Sequence, residues 1–384
     1  MSLTILADEN MPAVEQAFAE LGEVRTMPGR DMRNSDLGDV DVLLVRSVTR
    51  VDSQLLDGTP VRFVGTATSG VDHIRQNYLA AHGIHFASAH GANANSVVEY
   101  VLAAIAAVGD NLEALLDGAS VGIIGHGAVG SLLATRLLAL GIECRAYDPW
   151  LDAAAVTNAA TLEEVLRSQV ISVHAELSDR PPWPSRHLLD ENRLSGLSRD
   201  QLLVNASRGP VVDNRALVQL LSAGAGPVPV LDVWEQEPDI DPALLELVLL
   251  GTSHIAGYSY DSKVRATTML LAACYQWLQR PQAPDDLLSE PPVVRLGELG
   301  EPADKAALLR ALLGCRYDIR ADDHALRQVV ASGDIGRGFD RLRKEYPRRR
   351  ELAGSTISAP AADPGVLAGL CHALGCQSLE RPGT

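Results

Sequence analysis

Short apolar runs and longer amphipathic segments alternate along most of the chain. The apolar runs predict strands at 4–7, 42–45, 63–65, 84–86, 121–124, 170–173, 202–205 and 228–233. Apolar residues at helical spacing predict helices at 12–21, 96–108, 129–140, 161–166, 266–278, 305–313 and 324–330. Strands that alternate with helices are typical of parallel sheets with helices on both faces. The pattern therefore predicts an α/β protein, in which two successive Rossmann-like sheets precede a smaller terminal segment.

Two Ser/Thr-x-x-Glu patterns predict where helices begin. Ser96 with Glu99, and Thr161 with Glu164, each fit a capping box, in which the two side chains bind free N–H groups at the helix start. Prolines then predict a linker between the second sheet and the terminal segment, at positions 281, 284, 291 and 292.

A Gly-x-Gly-x-x-Gly turn lies between the strand at 121–124 and the helix that follows it. Gly125 permits a tight turn, Gly127 lets the backbone approach a pyrophosphate, and Gly130 lets the helix pack closely on the strand. The N–H groups and the positive dipole end of the helix then face the phosphates. The turn therefore predicts a dinucleotide site with contacts from Gly125, His126, Gly127, Ala128, Val129 and Gly130.

Asp148 follows the next apolar stretch and stands 18 residues after Gly130. A carboxylate at this distance accepts hydrogen bonds from the 2′-hydroxyl of a ribose and repels a 2′-phosphate. A solvated loop aspartate is the alternative interpretation of this residue. Together with the glycine turn, Asp148 predicts NAD as the cofactor and disfavours NADP.

The composition restricts the class of protein and partner. The chain of 384 residues has a formal net charge of −16, which argues against nucleic acid or an anionic membrane as its main partner. Its apolar runs are too short to span a bilayer, and it begins with no signal pattern. Five cysteines without paired Cys-x-x-Cys spacing are typical of reduced thiols in a cytoplasmic protein. Cys371, His372 and Cys376 are more typical of packing residues than of metal ligands, so we expect no metal.

Three polar segments follow strands of the second predicted sheet. Arg208 lies just past the strand at 202–205, Glu237 lies past the strand at 228–233, and His254 follows a further short apolar run. Each of these side chains has an ordinary structural explanation when it is taken alone. Because the carboxyl ends of parallel strands meet at one edge of a sheet, we expect the three to lie in one site.

These motifs resemble those of the D-isomer-specific 2-hydroxyacid dehydrogenases, from about Ile5 to Leu278. Within that family, the chain looks most like the members that act on 4-phospho-D-erythronate. The closer likeness rests on segments 6–10, 45–49, 64–73, 254–259 and 338–346 and so covers nearly the whole chain. The resemblance implies oxidation at C2 to 3-hydroxy-2-oxo-4-phosphobutanoate with NAD, a step toward pyridoxal 5′-phosphate.

The resemblance also implies roles for individual residues. His254 would accept the hydroxyl proton, since imidazole titrates near neutrality, and Glu237 would orient it. Arg208 would bind the substrate carboxylate with its planar fork and polarise the C2 oxygen. Further cofactor contacts are implied at Ala175, Ala206, Ser207, Asp232 and Gly257, and substrate contacts at Ser47, Thr68 and Tyr258.

The domain organisation implied by the resemblance has three parts. Residues 1–94 and 256–285 would form a flavodoxin-like substrate-binding domain, and residues 95–255 a doubly wound NAD-binding domain. Residues 286–384 would form an α+β domain that makes the protein a homodimer.

Two alternatives remain at this point. One is another 2-hydroxyacid dehydrogenase, such as one that acts on 3-phosphoglycerate or glycerate. The other is an NAD-sensing corepressor built on the same fold. The terminal segment and the Arg-Ser-Val-Thr sequence at 46–49 argue against the first. The intact set of Arg208, Glu237 and His254 argues against the second.

Some positions depart from the family pattern or extend it. Ala175 and Glu176 stand where relatives carry Thr-Pro, so we expect only a backbone contact from Ala175. Residues 337–350 contain seven basic residues and two acids, which indicates either a solvated or dimer-contact helix or a region that attracts a phosphate dianion. We expect Arg46 to bind the substrate phosphate directly, because it follows a strand of the substrate domain and adjoins Ser47 and Thr49.

Overall fold

A computed structural model describes residues 2–281, 293–296 and 304–379 of the chain. Its strands are β1 (Leu3–Asp8), β2 (Gly22–Met27), β3 (Val42–Val45), β4 (Phe63–Thr66), β5 (His85–Ser88), β6 (Ser120–Ile124), β7 (Glu143–Tyr147), β8 (Val170–Val173), β9 (Leu202–Asn205), β10 (Val228–Leu231), β11 (Leu250–Gly251), β12 (Val293–Arg295), β13 (Thr356–Ser358) and β14 (Gln377–Ser378). Its helices are α1 (Val14–Phe18), α2 (Ser53–Leu56), α3 (Gln76–Ala81), α4 (Ala94–Ala107), α5 (Asn111–Leu116), α6 (Ala128–Ala139), α7 (Leu162–Val165), α8 (Glu191–Ser195), α9 (Asn214–Ser222), α10 (Pro242–Leu247), α11 (Tyr260–Trp277), α12 (Lys305–Gly314), α13 (Ile319–Ala331), α14 (Ile335–Lys344) and α15 (Pro364–Leu374).

The first of two compact units comprises Met1–Asn93 and Ser259–Glu290. Its five-stranded parallel sheet has the order β2-β1-β3-β4-β5, which is the flavodoxin-like order. Apolar side chains of β1, β3 and β4 are buried on both faces of this sheet, in part beneath α11. The predicted flavodoxin-like sheet is therefore confirmed. The edge strand β2 was not predicted, because half of its residues are polar or exposed.

The second unit comprises Ala94–Tyr258 and Pro291–Thr384. Its main sheet is parallel and has the order β11-β10-β9-β8-β6-β7, and an isolated parallel bridge from Ala146 to Ala159 extends it beyond β7. The chain order reverses at β6, which pairs with β7 on one side and β8 on the other. In doubly wound sheets, ligands bind outside the carboxyl ends of the strands at such a switch point. The glycine turn follows β6 and therefore lies at this point.

The two predicted capping boxes have different outcomes. In α7, the Glu164 N–H donates to Thr161 Oγ1 at 3.2 Å and the Thr161 N–H donates to Glu164 Oε2 at 2.8 Å, so this box is confirmed. The box at Ser96 is wrong, because α4 begins two residues earlier and buries Ser96 inside the helix. Ser96 Oγ donates instead to Glu351, at 2.7 Å. Because the two residues are 255 positions apart, the local spacing of residues around Ser96 could not predict this contact.

The terminal segment packs into the second unit. Side chains of α12 and α15, including Leu309, Leu312 and Leu370, share one apolar core with α4, β6 and α6. The N–H groups of Leu352 and Ala353 donate to Glu99 Oε1 at 2.7 and 2.9 Å. The small parallel sheet of this segment has the order β12-β13-β14, so an α+β architecture is present. The three-part domain division stays a prediction, and most of the predicted linker, including Pro284, Pro291 and Pro292, lies outside the described residues.

Candidate active site

The glycine turn between β6 and α6 forms an open cradle at the start of a helix. Gly125 has φ 93°, a left-handed conformation, and a Cβ there would lie 2.7 Å from the N atom of Ala175. A Cβ on Gly130 would collide with the carbonyl oxygen of Gly125, so the helix packs too closely for any side chain. Nothing lies within 4 Å of the place where a Gly127 Cβ would be. The turn thus leaves space for a pyrophosphate in front of the N–H groups of α6.

Asp148 is held beside this cradle by two backbone groups. Its Oδ2 accepts from the N–H of His126 at 2.9 Å, and its Oδ1 accepts from the N–H of Trp150 at 3.0 Å. Each carboxylate oxygen can accept a second hydrogen bond, as a ribose hydroxyl would require. The guanidinium of Arg180 lies 4.2 Å from the centre of the Trp150 ring. The cradle and the oriented carboxylate together fit an NAD molecule.

We expect the substitution Asp148→Ser to reduce the preference for NAD over NADP by about 10- to 100-fold, because it removes charge repulsion against a 2′-phosphate. The nearby Arg180 would then favour the added phosphate. Steady-state kcat/KM for both cofactors measures the effect. The control is Asp152→Ser, since Asp152 is an exposed helix cap four residues further on and serine can also cap a helix. An unchanged cofactor ratio in the Asp148 variant would refute the role of this carboxylate.

The loop that carries Arg208 is braced by Asn205, the last residue of β9. Asn205 Nδ2 donates to the carbonyl oxygen of Arg208 at 3.1 Å, and Asn205 Oδ1 accepts from the N–H and hydroxyl of Ser207 at 3.1 and 2.8 Å. The Ser207 hydroxyl is thus engaged within the loop, which leaves Ala206 and Ser207 to contact a cofactor by other atoms. Gly209 lies against the backbone of Trp234, so the loops after β9 and β10 touch directly.

The loop that carries His254 is held by the buried carboxylate of Asp232. Its Oδ1 accepts from the Ile255 N–H at 2.7 Å and from the hydroxyl of Thr252 at 2.6 Å, and its Oδ2 accepts from the Ala256 N–H at 3.0 Å. Burial raises the pKa of Asp232, and the charge of His254 with these hydrogen bonds only partly opposes the rise. This positioning contact was not predicted. A cofactor contact by Asp232 stays a prediction.

Glu237 and His254 form the central pair of the site. His254 Nδ1 lies 2.6 Å from Glu237 Oε2, and Glu237 Oε1 accepts from the Trp234 N–H at 2.9 Å. Burial by itself raises the pKa of Glu237, but the charge of His254, these two hydrogen bonds and the charge of Arg343 hold the pKa below its usual value. An ionised Glu237 selects the tautomer with a proton on Nδ1. The other ring nitrogen, Nε2, is then unprotonated in the neutral ring.

The remaining predicted residues are divided between the two units. Gly257 and Tyr258 follow the His254 loop in the second unit. Arg46 and Ser47 follow β3 of the first unit, and Thr68 follows the neighbouring strand β4, so these three lie at the carboxyl edge of one sheet. Thr68 Oγ1 donates to the Gly70 carbonyl at 2.8 Å.

Thr49, three residues after Arg46, has its side chain engaged within the fold. Its hydroxyl is buried and donates to the carbonyl oxygen of Gly29 at 2.9 Å. This contact joins residues 20 positions apart, so the local sequence did not reveal it.

One cluster in the described residues has the composition of a metal site. Ligand atoms of His187, Asp213 and Glu235 lie within 4.8 Å of one another. These groups already bind one another and the backbone, since His187 Nε2 lies 2.9 Å from Glu235 Oε1, and Asp213 accepts from the first turn of α9. These contacts connect the loops around β9 and β10.

Comparison with known proteins identifies the family. Erythronate-4-phosphate dehydrogenase of Cellvibrio japonicus is 46% identical over 356 residues, which cover 91% of this chain and 93% of that protein. The enzyme of the same name from Salmonella arizonae is 42% identical over 384 residues, 99% of this chain and all of that protein. The chain belongs to the erythronate-4-phosphate dehydrogenase family.

Two sequence profiles match parts of the chain. The NAD-binding domain of the D-isomer-specific 2-hydroxyacid dehydrogenases matches residues 105–256, which confirms the family resemblance and the NAD-binding domain. A domain of unknown function matches residues 287–370. The terminal segment of this family member is therefore a recurring domain without an assigned role.

Solved structures support the same fold. D-lactate dehydrogenase of Aquifex aeolicus, complexed with NAD and lactic acid, has a TM-score of 0.60 at 23% identity and covers 72% of this chain and 95% of its own. Cofactor-bound 3-phosphoglycerate dehydrogenase of Entamoeba histolytica has a TM-score of 0.63 at 18% identity, over 75% of this chain and 99% of its own. Among the described residues, no helix has the length and apolar character needed to cross a bilayer.

Proposed function

We propose that this protein oxidises 4-phospho-D-erythronate at C2 to 3-hydroxy-2-oxo-4-phosphobutanoate, as an NAD-dependent step in the synthesis of pyridoxal 5′-phosphate. The observation that carries the proposal is the Glu237–His254 pair, in which Glu237 orients a histidine that can act as a base. The pair lies at the sheet edge that also bears Arg208 and the glycine turn. Relatives that match nearly the whole chain are named erythronate-4-phosphate dehydrogenase, and we take the identity of the substrate from that name.

The proposed chemistry divides proton and hydride between protein and cofactor. Bound NAD supplies the acceptor for the hydride that leaves C2. His254 Nε2 removes the proton from the C2 hydroxyl, and Glu237 stabilises the imidazolium that forms. Arg208 binds the substrate carboxylate and stabilises the developing carbonyl oxygen. In the reverse direction, the imidazolium returns the proton to that oxygen.

The proposed cofactor contacts follow the edge of the second sheet. The backbone of the glycine turn would hold the pyrophosphate, and Asp148 would bind the adenosine ribose. Contacts nearer the nicotinamide are proposed for Ala175, Ala206, Ser207, Asp232 and Gly257. The proposed substrate contacts are Arg46, Ser47, Thr68 and Tyr258.

A comparison of four acids tests the proposed substrate. Steady-state kcat/KM is measured with NAD and 4-phosphoerythronate, erythronate, 3-phosphoglycerate or glycerate. The expected result is clear preference for 4-phosphoerythronate. A higher kcat/KM with 3-phosphoglycerate or glycerate would assign a different substrate, and NAD binding without turnover of any acid would favour a sensor.

We expect Arg46→Ala to raise KM for 4-phosphoerythronate by about 10- to 100-fold, the effect of losing a charged hydrogen bond to phosphate. The KM for unphosphorylated erythronate should stay nearly constant. The matched control is Arg50→Ala, since Arg50 is exposed and pairs with Asp52 at 2.8 Å. Equal losses with both substrates would make Arg46 a structural residue.

We also propose that the protein is a cytoplasmic homodimer. The support is the terminal domain, whose counterpart in the family resemblance joins two subunits. Sedimentation equilibrium of the whole chain, with a subunit mass of 40.9 kDa, distinguishes a dimer from a monomer. The whole chain is needed because the terminal helices share a core with α4 and α6.

A further inference from the structure

Helix α14 of the terminal domain packs against the segment that follows Glu237. A Cβ on Gly336, in the first turn of α14, would collide with the carboxylate of Asp239. Phe339 of the same helix and Ile240 of the segment are both fully buried in one apolar cluster. The terminal domain and the Glu237 loop therefore form one packed structure.

The last turn of α14 brings a cation to the active site. The guanidinium carbon of Arg343 lies 5.6 Å from the centre of the Tyr258 ring. The Tyr346 ring meets Tyr258 edge-on, with centroids 5.9 Å apart. Arg343 Nε is buried and has no hydrogen-bond partner among the described residues. A guanidinium that is partly withdrawn from solvent is stabilised by nearby negative charge, and Glu237 contributes it.

The charge of Arg343 is coupled to the central pair. Burial alone lowers the pKa of Arg343, but Tyr258 and Glu237 outweigh this effect and raise it. In return, the charge of Arg343 contributes to the lowered pKa of Glu237. The other titratable groups that face the pair or Arg343 are Asp232, which directly follows β10, and Asp340, on α14 itself.

We propose that Arg343 is a positioning residue of the active site, which connects the terminal domain to the Glu237–His254 pair and to Tyr258. The proposal rests on the proposed function, since it takes His254 as the base. A positive charge beside the pair disfavours an added proton. Arg343 therefore helps to keep Glu237 ionised, and an ionised Glu237 holds His254 with its proton on Nδ1.

The test compares Arg343→Gln with Arg343→Lys. In Arg343→Gln, the acidic limb of the kcat–pH profile for substrate oxidation should move to higher pH by about 1 unit. The kcat on the alkaline plateau and KM for NAD should change little. Arg343→Lys keeps the charge and should restore the wild-type limb. Arg341→Gln is the control, because it removes an exposed charge from the same helix.

A second measurement keeps this test independent of turnover. NMR of the Glu237 side-chain carboxyl in the intact protein follows its protonation without substrate, and the titration midpoint should rise in Arg343→Gln. If no acid is oxidised by the wild-type protein, the proposed function fails while this titration still tests Arg343. A wild-type midpoint in a folded Arg343→Gln variant would overturn the inference. So would an equal shift in Arg341→Gln, which would reflect general surface charge.

Discussion

Replacement of His254 by asparagine is expected to lower kcat by about 10²- to 10⁴-fold, the contribution of a positioned general base. Asparagine is the chosen residue because His254 has φ 57°, and asparagine tolerates a left-handed backbone better than most residues do. NAD affinity should stay close to that of the wild type, since the proposed cofactor contacts do not include the imidazole. Single-turnover rates and NAD titrations measure the two effects separately.

The control for this substitution is His324→Asn. His324 is an exposed histidine of α13 that bonds to Gln328 of the same helix. Its replacement should leave kcat unchanged. A His254→Asn variant that keeps near wild-type kcat would remove His254 from the mechanism, whatever its effect on stability.

Gly209→Ala is expected to lower kcat/KM by about 10²-fold, although it adds a single methyl group. A Cβ at this position would overlap the backbone of Trp234 and lie 2.6 Å from the N atom of Glu235. Backbone atoms cannot rotate out of the way, so the Arg208 loop or the Glu237 loop must shift. A shift of about 1 Å in a catalytic group commonly costs that factor.

Gly38→Ala provides the comparison for Gly209→Ala. Gly38 has φ −61° and no atom within 4 Å of its Cβ position, so alanine fits there without strain. Thermal unfolding of both variants separates a displaced site from a loss of folding. If Gly209→Ala is folded and retains wild-type kcat/KM, the direct contact between the two loops is not needed for catalysis.

Features determined by local sequence were predicted well. The strands β3, β8 and β9 have the predicted bounds, because each is a short, mostly apolar run whose residues are all buried. The glycine turn and the Thr161 capping box also depend on residues a few positions apart. For these features, the partners that form the structure lie within the same short segment.

Features that depend on distant partners were not predicted. Ser96 fits a capping box by spacing, yet its true partner is Glu351. The attachment of the His254 loop to Asp232 joins residues more than 20 positions apart, and α14 reaches the Glu237 loop from about 100 positions away. The excess of basic residues at 337–350 did indicate a segment with a special charge distribution. Their number alone could not distinguish Arg343, beside Tyr258, from Arg337, which pairs with Asp334 at the surface.

At position 254, the left-handed backbone favours glycine for stability, whereas the proposed catalysis requires a histidine ring. A non-glycine residue in this conformation costs on the order of 1 kcal/mol or more, which the surrounding contacts must offset. A sequence selected only for folding would carry glycine there and would lose the ring. Mutational screens for thermostability should therefore find gains at position 254 only in inactive proteins, and engineering for heat tolerance should leave this residue untouched.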